Sequence, residues 1–259
     1  MRGTLYWSTV VRKPAGSFVF CEVEQTAILL RMLPADRIAR PVALAWAARG
    51  FSCIFWGMAI SLLLASGFLS VRAFTHLRIP SHLPGLILIL TGAIFLHRSG
   101  MGSAYWVDRT NGLTMAAALM IYFTPFLAWW RRMPHEVLYH VNIIALAGVT
   151  LWFLVALHRL AEELGRARGN QILRVESRLC LWSSLALYLI PIAIMLIEWL
   201  PGAIGSKAAG SDVIPVYFIV WPRWVFAIFS MPFLLTMAVA WEAKEHCLGE
   251  AHSSREVTL

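Results

Sequence analysis

The chain has 259 residues, of which 59% are hydrophobic and 14% charged, with a formal net charge of +8. A soluble domain carries about a quarter charged residues, so this composition and a mean hydropathy of +0.68 exclude an ordinary water-soluble fold. The basic excess fits the Lys/Arg bias of cytoplasmic loops and contact with anionic lipid, and no nucleic-acid partner is expected.

Residues 1–41 are expected to form a cytoplasmic arm. Glu22 and Glu24 interrupt its one apolar stretch, so no signal-peptide core is expected there. The segment Glu24 to Arg40 suits an amphipathic helix on the membrane surface. From residue 42 to 242 the sequence predicts an all-α, polytopic membrane bundle of six spanning helices.

The first span is drawn from Gly50 to Val71. Apolar character starts at Val42, but Arg49 interrupts it and is expected to snorkel to an interface. The second, Leu83 to Leu96, is the shortest, with full crossing and a re-entrant segment as alternatives. The third runs from Gly112 to Trp130 around Pro125, and the fourth from Val137 to Leu157. Beyond it, helix four is expected to continue, turn at Arg168-Gly169-Asn170 and pass into an early start of helix five. The fifth span is Leu179 to Leu200 and the sixth Trp224 to Trp241, around Pro232. Residues 243–259 are expected to be a cytoplasmic tail.

Placing both termini in the cytoplasm puts 15 of the 22 Lys and Arg residues on the inside and 5 on the outside, with Arg49 and Arg223 in or beside spans. That split predicts a multi-pass protein of the cell inner membrane. All four cysteines then lie on the reducing side, so no disulfide framework is expected.

Several motifs invite a chemical reading. His135-Glu136-Val137-Leu138-Tyr139-His140 resembles the H-E-x-x-H helix of metalloproteases. Its histidines are five apart, however, about 500° of helical rotation, and cannot grip one zinc from a regular helix. Ser99-Gly100-Met101-Gly102-Ser103 resembles an intramembrane serine protease site but falls in a loop. Glu162-Glu163 resembles the paired glutamates of membrane-embedded prenyl-protein proteases but precedes its Arg by the wrong spacing. Glu245, His246, Cys247, Glu250 and His252 carry metal-ligating chemistry in a stretch expected to be solvated.

Two constellations remain. Arg223, in Trp221-Pro222-Arg223-Trp224, would need a counter-charge if buried, and Glu198 is the nearest in topology. Four histidines bracket two spans that run in the same direction: His82 and His97 the second, His140 and His158 the fourth. Pairs at matched depth, His82 with His140 and His97 with His158, have the layout of two heme b sites in a di-heme cytochrome linked to quinol oxidation. The other reading is interfacial histidines in polar networks. With no intact catalytic motif and no assigned metal, the chain reads first as a non-catalytic subunit, scaffold or accessory. Its partners would be the bilayer and other membrane subunits. The di-heme cytochrome is the alternative, and a small-solute transporter or intramembrane enzyme the third reading.

Overall fold

The computed structural model describes residues 34–65, 80–101, 104–130, 133, 136–205 and 223–256, and within them it is helical. The helices are α1 (Pro34–Ala65), α2 (Leu83–Arg98), α3 (Ala104–Trp130), α4 (Val137–Ala167), α5 (Gln171–Gly205) and α6 (Arg223–Glu256). Three stretches are long and apolar enough to cross a membrane: Val42–Leu64, Tyr105–Trp130 and Val141–Ala167; Leu83–Arg98 is a shorter apolar helix. The chain divides into two compact units, Met1–Arg40 and Pro41–Leu259, and the bundle belongs to the second.

Within that unit neighbours in sequence are neighbours in space. α2 packs on α3, α3 on α4, α4 on α5 and α5 on α6, and α6 also reaches α4. α1 lies against α2 and touches α6 through Phe55 and Trp241, whose rings are 5.1 Å apart.

The contact between α1 and α2 is backbone on backbone. Gly50 meets Gly92 and Gly57 meets Gly85, so the same seven-residue interval on both helices builds an antiparallel seam. A Cβ on Gly57 would stand 2.7 Å from the Gly85 carbonyl oxygen, and one on Gly92 would stand 2.6 Å from that of Gly50. Nothing larger than glycine fits. Small residues let membrane helices approach until dispersion and weak Cα–H···O contacts hold them together.

α1 begins well before the predicted span, and its apolar stretch is shifted toward the N-terminus. Arg49 does not break it. Its guanidinium lies 5.4 Å from the centre of the Trp46 ring, an interaction that helps an exposed cation stay at a helix surface. Residues 66–71, the end of the predicted first span, lie outside the described residues.

α2 starts with Pro84 in its first turn and is followed by Gly100 at φ 56°, the Pro-in, Gly-out asymmetry of helix ends. In α3 the hydroxyls of Thr110, Thr114 and Thr124 donate to carbonyls one turn back, Trp106, Thr110 and Met120. A polar side chain thereby satisfies itself inside an apolar helix.

The predicted link between helices four and five is present. α4 runs to Ala167, Gly169 takes φ 68°, and α5 starts at Gln171. Asn170 caps α5, its Oδ1 accepting from the Leu173 N–H at 3.1 Å. Gly165 permits the close return, since a Cβ there would lie 2.9 Å from the Arg174 nitrogen. α6 continues as helix where a tail was expected. Ala243 and Cys247 are fully buried, and so are Leu160, Ala161, Leu164 and Leu173 opposite them. These residues continue the one buried apolar core toward the α4–α5 turn, and the packed ends of α4, α5 and α6 there form a three-helix extension of the bundle.

Candidate functional site

A line of buried polar side chains runs through the packing of α4, α5 and α6. From the extension inward it comprises Glu162, Ser177, His158, Thr236 and Ser184, each no more than 4% exposed. Buried polar groups in a membrane helix bundle are costly and mark pathways or interfaces by default.

His158 sits at the centre of that line. Its Nε2 is 3.0 Å from Thr236 Oγ1. The single Thr236 hydroxyl proton is committed elsewhere, donated to the Pro232 carbonyl at 2.7 Å. With the hydroxyl proton on the Pro232 carbonyl, Thr236 Oγ1 accepts and His158 Nε2 donates, the arrangement of an Nε2–H ring. His158 Nδ1 is buried and makes no hydrogen bond of normal geometry. Ser184 Oγ donates to the same Pro232 carbonyl at 3.4 Å, so α5 and α6 share one acceptor at the proline.

One turn toward the extension, Glu162 is the hub of an ion network. Its Oε1 accepts from Arg178 of α5, and from Arg166 of its own helix at 3.5 Å. Glu162 is buried while both arginines are half exposed. One carboxylate thus draws two guanidinium groups over the mouth of the polar line. Farther out, Arg168 pairs with Glu250 at 2.7 Å, and Asn170 Nδ2 lies 3.4 Å from His246 Nδ1. Both contacts tie the α4–α5 turn to α6. Cys247 beneath them has its thiol pushed up to about 12, first by burial and then by Glu250, with Arg168 opposing. Cys53, Cys180 and Cys247 are all free thiols.

No protein-family model matches the chain, and neither a curated sequence nor a solved structure aligns with it at a significant level. Function therefore rests on the geometry of this chain alone.

Among the described side chains, His97 and His158 face different helices. His158 faces α6 through Thr236. His97 is exposed and faces α3, its Nδ1 3.3 Å from Thr110 Oγ1. His82 flanks the start of α2, where its carbonyl accepts from Ser61 Oγ of α1 at 3.5 Å. The His140 side chain lies outside the described residues. His97 and His158 thus engage different neighbouring helices. Of the two mid-span glycines able to open a porphyrin cleft, Gly92 has its surface filled by Gly50 and Ile54 of α1, and Gly148 faces open space. The Glu198 and Arg223 side chains also lie outside the described ones. Among the described residues, no group of three or more His, Cys, Asp or Glu is placed to hold a metal ion.

Sequence reasoning placed His158 at a helix end but missed its partners. The available signal was a helical spacing of small and hydroxyl residues, Thr236, Ala240, Ala243 and Cys247, running straight past the end of the apolar stretch. That spacing marks a helix buried along one face.

Proposed function

We propose that the chain is a six-span inner-membrane protein with both termini in the cytoplasm, serving as a non-catalytic subunit, scaffold or accessory of a membrane assembly. The observation that carries this reading is the α4–α5–α6 extension. Its helices bury Leu160, Leu164, Leu173 and Cys247 between them, and it is clamped by Arg168–Glu250 and Glu162–Arg178. A rigid, clamped projection gives a partner a preformed surface, which lowers the ordering cost of binding. Its outer face keeps Ile172, Val175 and Leu179 about two-thirds exposed.

Reporter fusions test the topology. Fusions after Gly169 and Leu259 should report cytoplasm, and those after Arg132 and Lys207 the opposite side. A photo-crosslinking residue at Val175 tests the role and should capture another membrane subunit in intact cells. A protein that yields no adduct there and purifies as a lone monomer would sink the scaffold reading.

The buried polar line favours one second reading, a small-solute transporter. Uptake by reconstituted vesicles that is lost in His158→Gln while the fold is kept would move the assignment there.

A further inference from the structure

α3 and α4 leave an open cleft between them. It encloses about 440 Å³ and is lined by Asp108, Arg109, Asn111, Met115 and Trp152 among others. Gly112 lies on its floor beside the Trp152 ring, whose Nε1 edge a Cβ there would meet at ordinary contact distance, 3.7 to 3.8 Å. Trp152 and Met115 are about half exposed along the wall.

Arg109 is the unusual member. It makes no ion pair among the described residues. Its guanidinium is stacked 4.8 Å from the centre of the Tyr105 ring, and its Nε is buried without a hydrogen bond. A guanidinium offers five donors and no acceptor. At a membrane surface, donors left without acceptors are costly, and the cation needs a counter-charge. The stacked ring holds the fork in one orientation, which favours a planar or tetrahedral oxyanion over water. Asp108 is exposed on the same helix turn. Its carboxylate opposes any ligand with more than one negative charge, so a phosphodiester suits the cleft better than a phosphomonoester.

We propose that this cleft is a binding site for the phosphodiester headgroup of a membrane phospholipid. Arg109 holds the phosphate, Asn111 reaches the glycerol or headgroup edge, and an acyl chain lies along Met115 and Trp152. The cleft wall exposes Met115 and Trp152 on two helices apolar and long enough to cross a membrane, where lipid is the expected solvent. Its cation lies one turn into α3, near the polar end of the helix, and apolar wall follows it toward mid-membrane. Charge first, then an aromatic, then an aliphatic surface is the order in which a phospholipid presents its parts. The side of the membrane depends on the orientation proposed above; the site itself does not.

Protein purified in phospholipid-free detergent is mixed with phosphatidylglycerol, with diacylglycerol, or with inorganic phosphate. Binding is read by native mass spectrometry and by the midpoint of thermal unfolding. Phosphatidylglycerol should give a one-to-one adduct and a higher midpoint. Diacylglycerol, which has chains but no phosphate, and inorganic phosphate, which has no chains, should do neither at the same concentration. Arg109→Gln should weaken the adduct at least tenfold, and Arg109→Lys should keep part of it. Equal binding by wild type and Arg109→Gln overturns the proposal, as does diacylglycerol matching phosphatidylglycerol. A full shift with inorganic phosphate overturns the lipid source and identifies a free-phosphate site. Should Arg109→Gln fail to fold, Trp152→Ala keeps the cation and removes the chain contact. A severalfold weaker adduct then supports the site, and undiminished binding ends it.

Discussion

The α1–α2 seam and the α4–α5–α6 packing join helices by opposite means. The first is built on glycines whose faces lie against carbonyl oxygens and against the apolar or small side chains of Leu96, Ile89, Ser61 and Ile54. The second is held by hydroxyl, imidazole, carboxylate and guanidinium groups buried between helices. The seam is intolerant of volume and indifferent to charge. The polar packing tolerates modest changes of volume but is sensitive to the loss of one hydrogen-bonding partner. Membrane helices gain little from hydrophobic burial against each other, so one of these two devices is needed wherever a specific pair must form.

The largest expected effect is on the seam. In Gly57→Leu the new Cβ falls 2.7 Å from the Gly85 carbonyl oxygen and 2.9 Å from the Ile89 nitrogen, both main-chain atoms that cannot step aside. Forced overpacking costs about 1–3 kcal/mol and more where backbone must move, so about 3 kcal/mol or more is expected in denaturant titration of mixed micelles. Gly148→Ala is the control, because nothing lies within 4 Å of its Cβ. It should stay within about 1 kcal/mol of wild type, with the helix-propensity gain of alanine acting in its favour. Equal losses at the two positions would break the contrast between seam and open face.

Next comes the polar packing. Thr236→Val removes the acceptor of the His158 Nε2 proton and leaves a buried imidazole donor unpaired, a loss of about 1–3 kcal/mol. Removing both groups, as in His158→Leu with Thr236→Val, should cost less than the sum of the single changes, because no orphan remains. Nitrogen NMR of histidine-labelled protein sharpens this. His158 should carry its proton on Nε2 in the wild type and redistribute it in Thr236→Val. An Nδ1–H ring in the wild type would contradict the assigned donor and acceptor roles.

These two regions also differ in how far they could be read from sequence. The α4–α5 turn was legible because Arg168-Gly169-Asn170 carries a positive-φ glycine and a cap, both local signals. The long apolar stretches in α1, α3 and α4 were legible because hydropathy is local too. The Gly50–Gly92 and Gly57–Gly85 partnership was not, since either pair of glycines has meaning only once the facing helix is known. Arg49 was over-read as a boundary because its aromatic shelf, Trp46, sits three residues earlier on the same face. Residues 243–256 looked like a tail because Glu, Lys and His dominate the composition there. The small residues at helical spacing that bury one face are few and easily outvoted in an average. The histidines show a limit of another kind. Matched depth along parallel spans is a one-dimensional match, and it says nothing of which neighbour each ring faces. His97 turns to α3 and His158 to α6.

A smaller effect is expected where the polar packing meets water. Arg168→Gln breaks the 2.7 Å pair with Glu250, whose side chain is 28% exposed. Partial screening limits the loss to about 1 kcal/mol, and it should shrink further in high salt. The Cys247 thiol reports the same clamp. Buried, and with its thiol pushed up to about 12, it should resist maleimide at neutral pH in the wild type and react faster in Arg168→Gln as the extension opens. Labelling of Cys247 at the rate of a free thiol in the intact protein would show that α6 does not stay packed beyond the spans.

The smallest expected effect is a pH dependence at the foot of α5 and α6. Glu242 is held above its ordinary carboxylate value, first by partial desolvation and then by the negative charge and hydrogen bond of Glu176. A carboxyl raised in the folded state binds its proton more tightly folded than unfolded. Its contribution to stability is therefore fully present below the unfolded value and is lost as pH rises through the folded one. Unfolding midpoints taken across the mildly acidic range should fall as pH rises through that window, and Glu242→Gln should flatten the slope, because a neutral amide can keep a hydrogen bond to Glu176 without the second charge. Reading Glu242→Gln beside the wild type in one pH series isolates the contribution of the Glu242–Glu176 acid pair. A Glu242→Gln profile that retains the full acid-side gain would place the titrating group elsewhere on the extension.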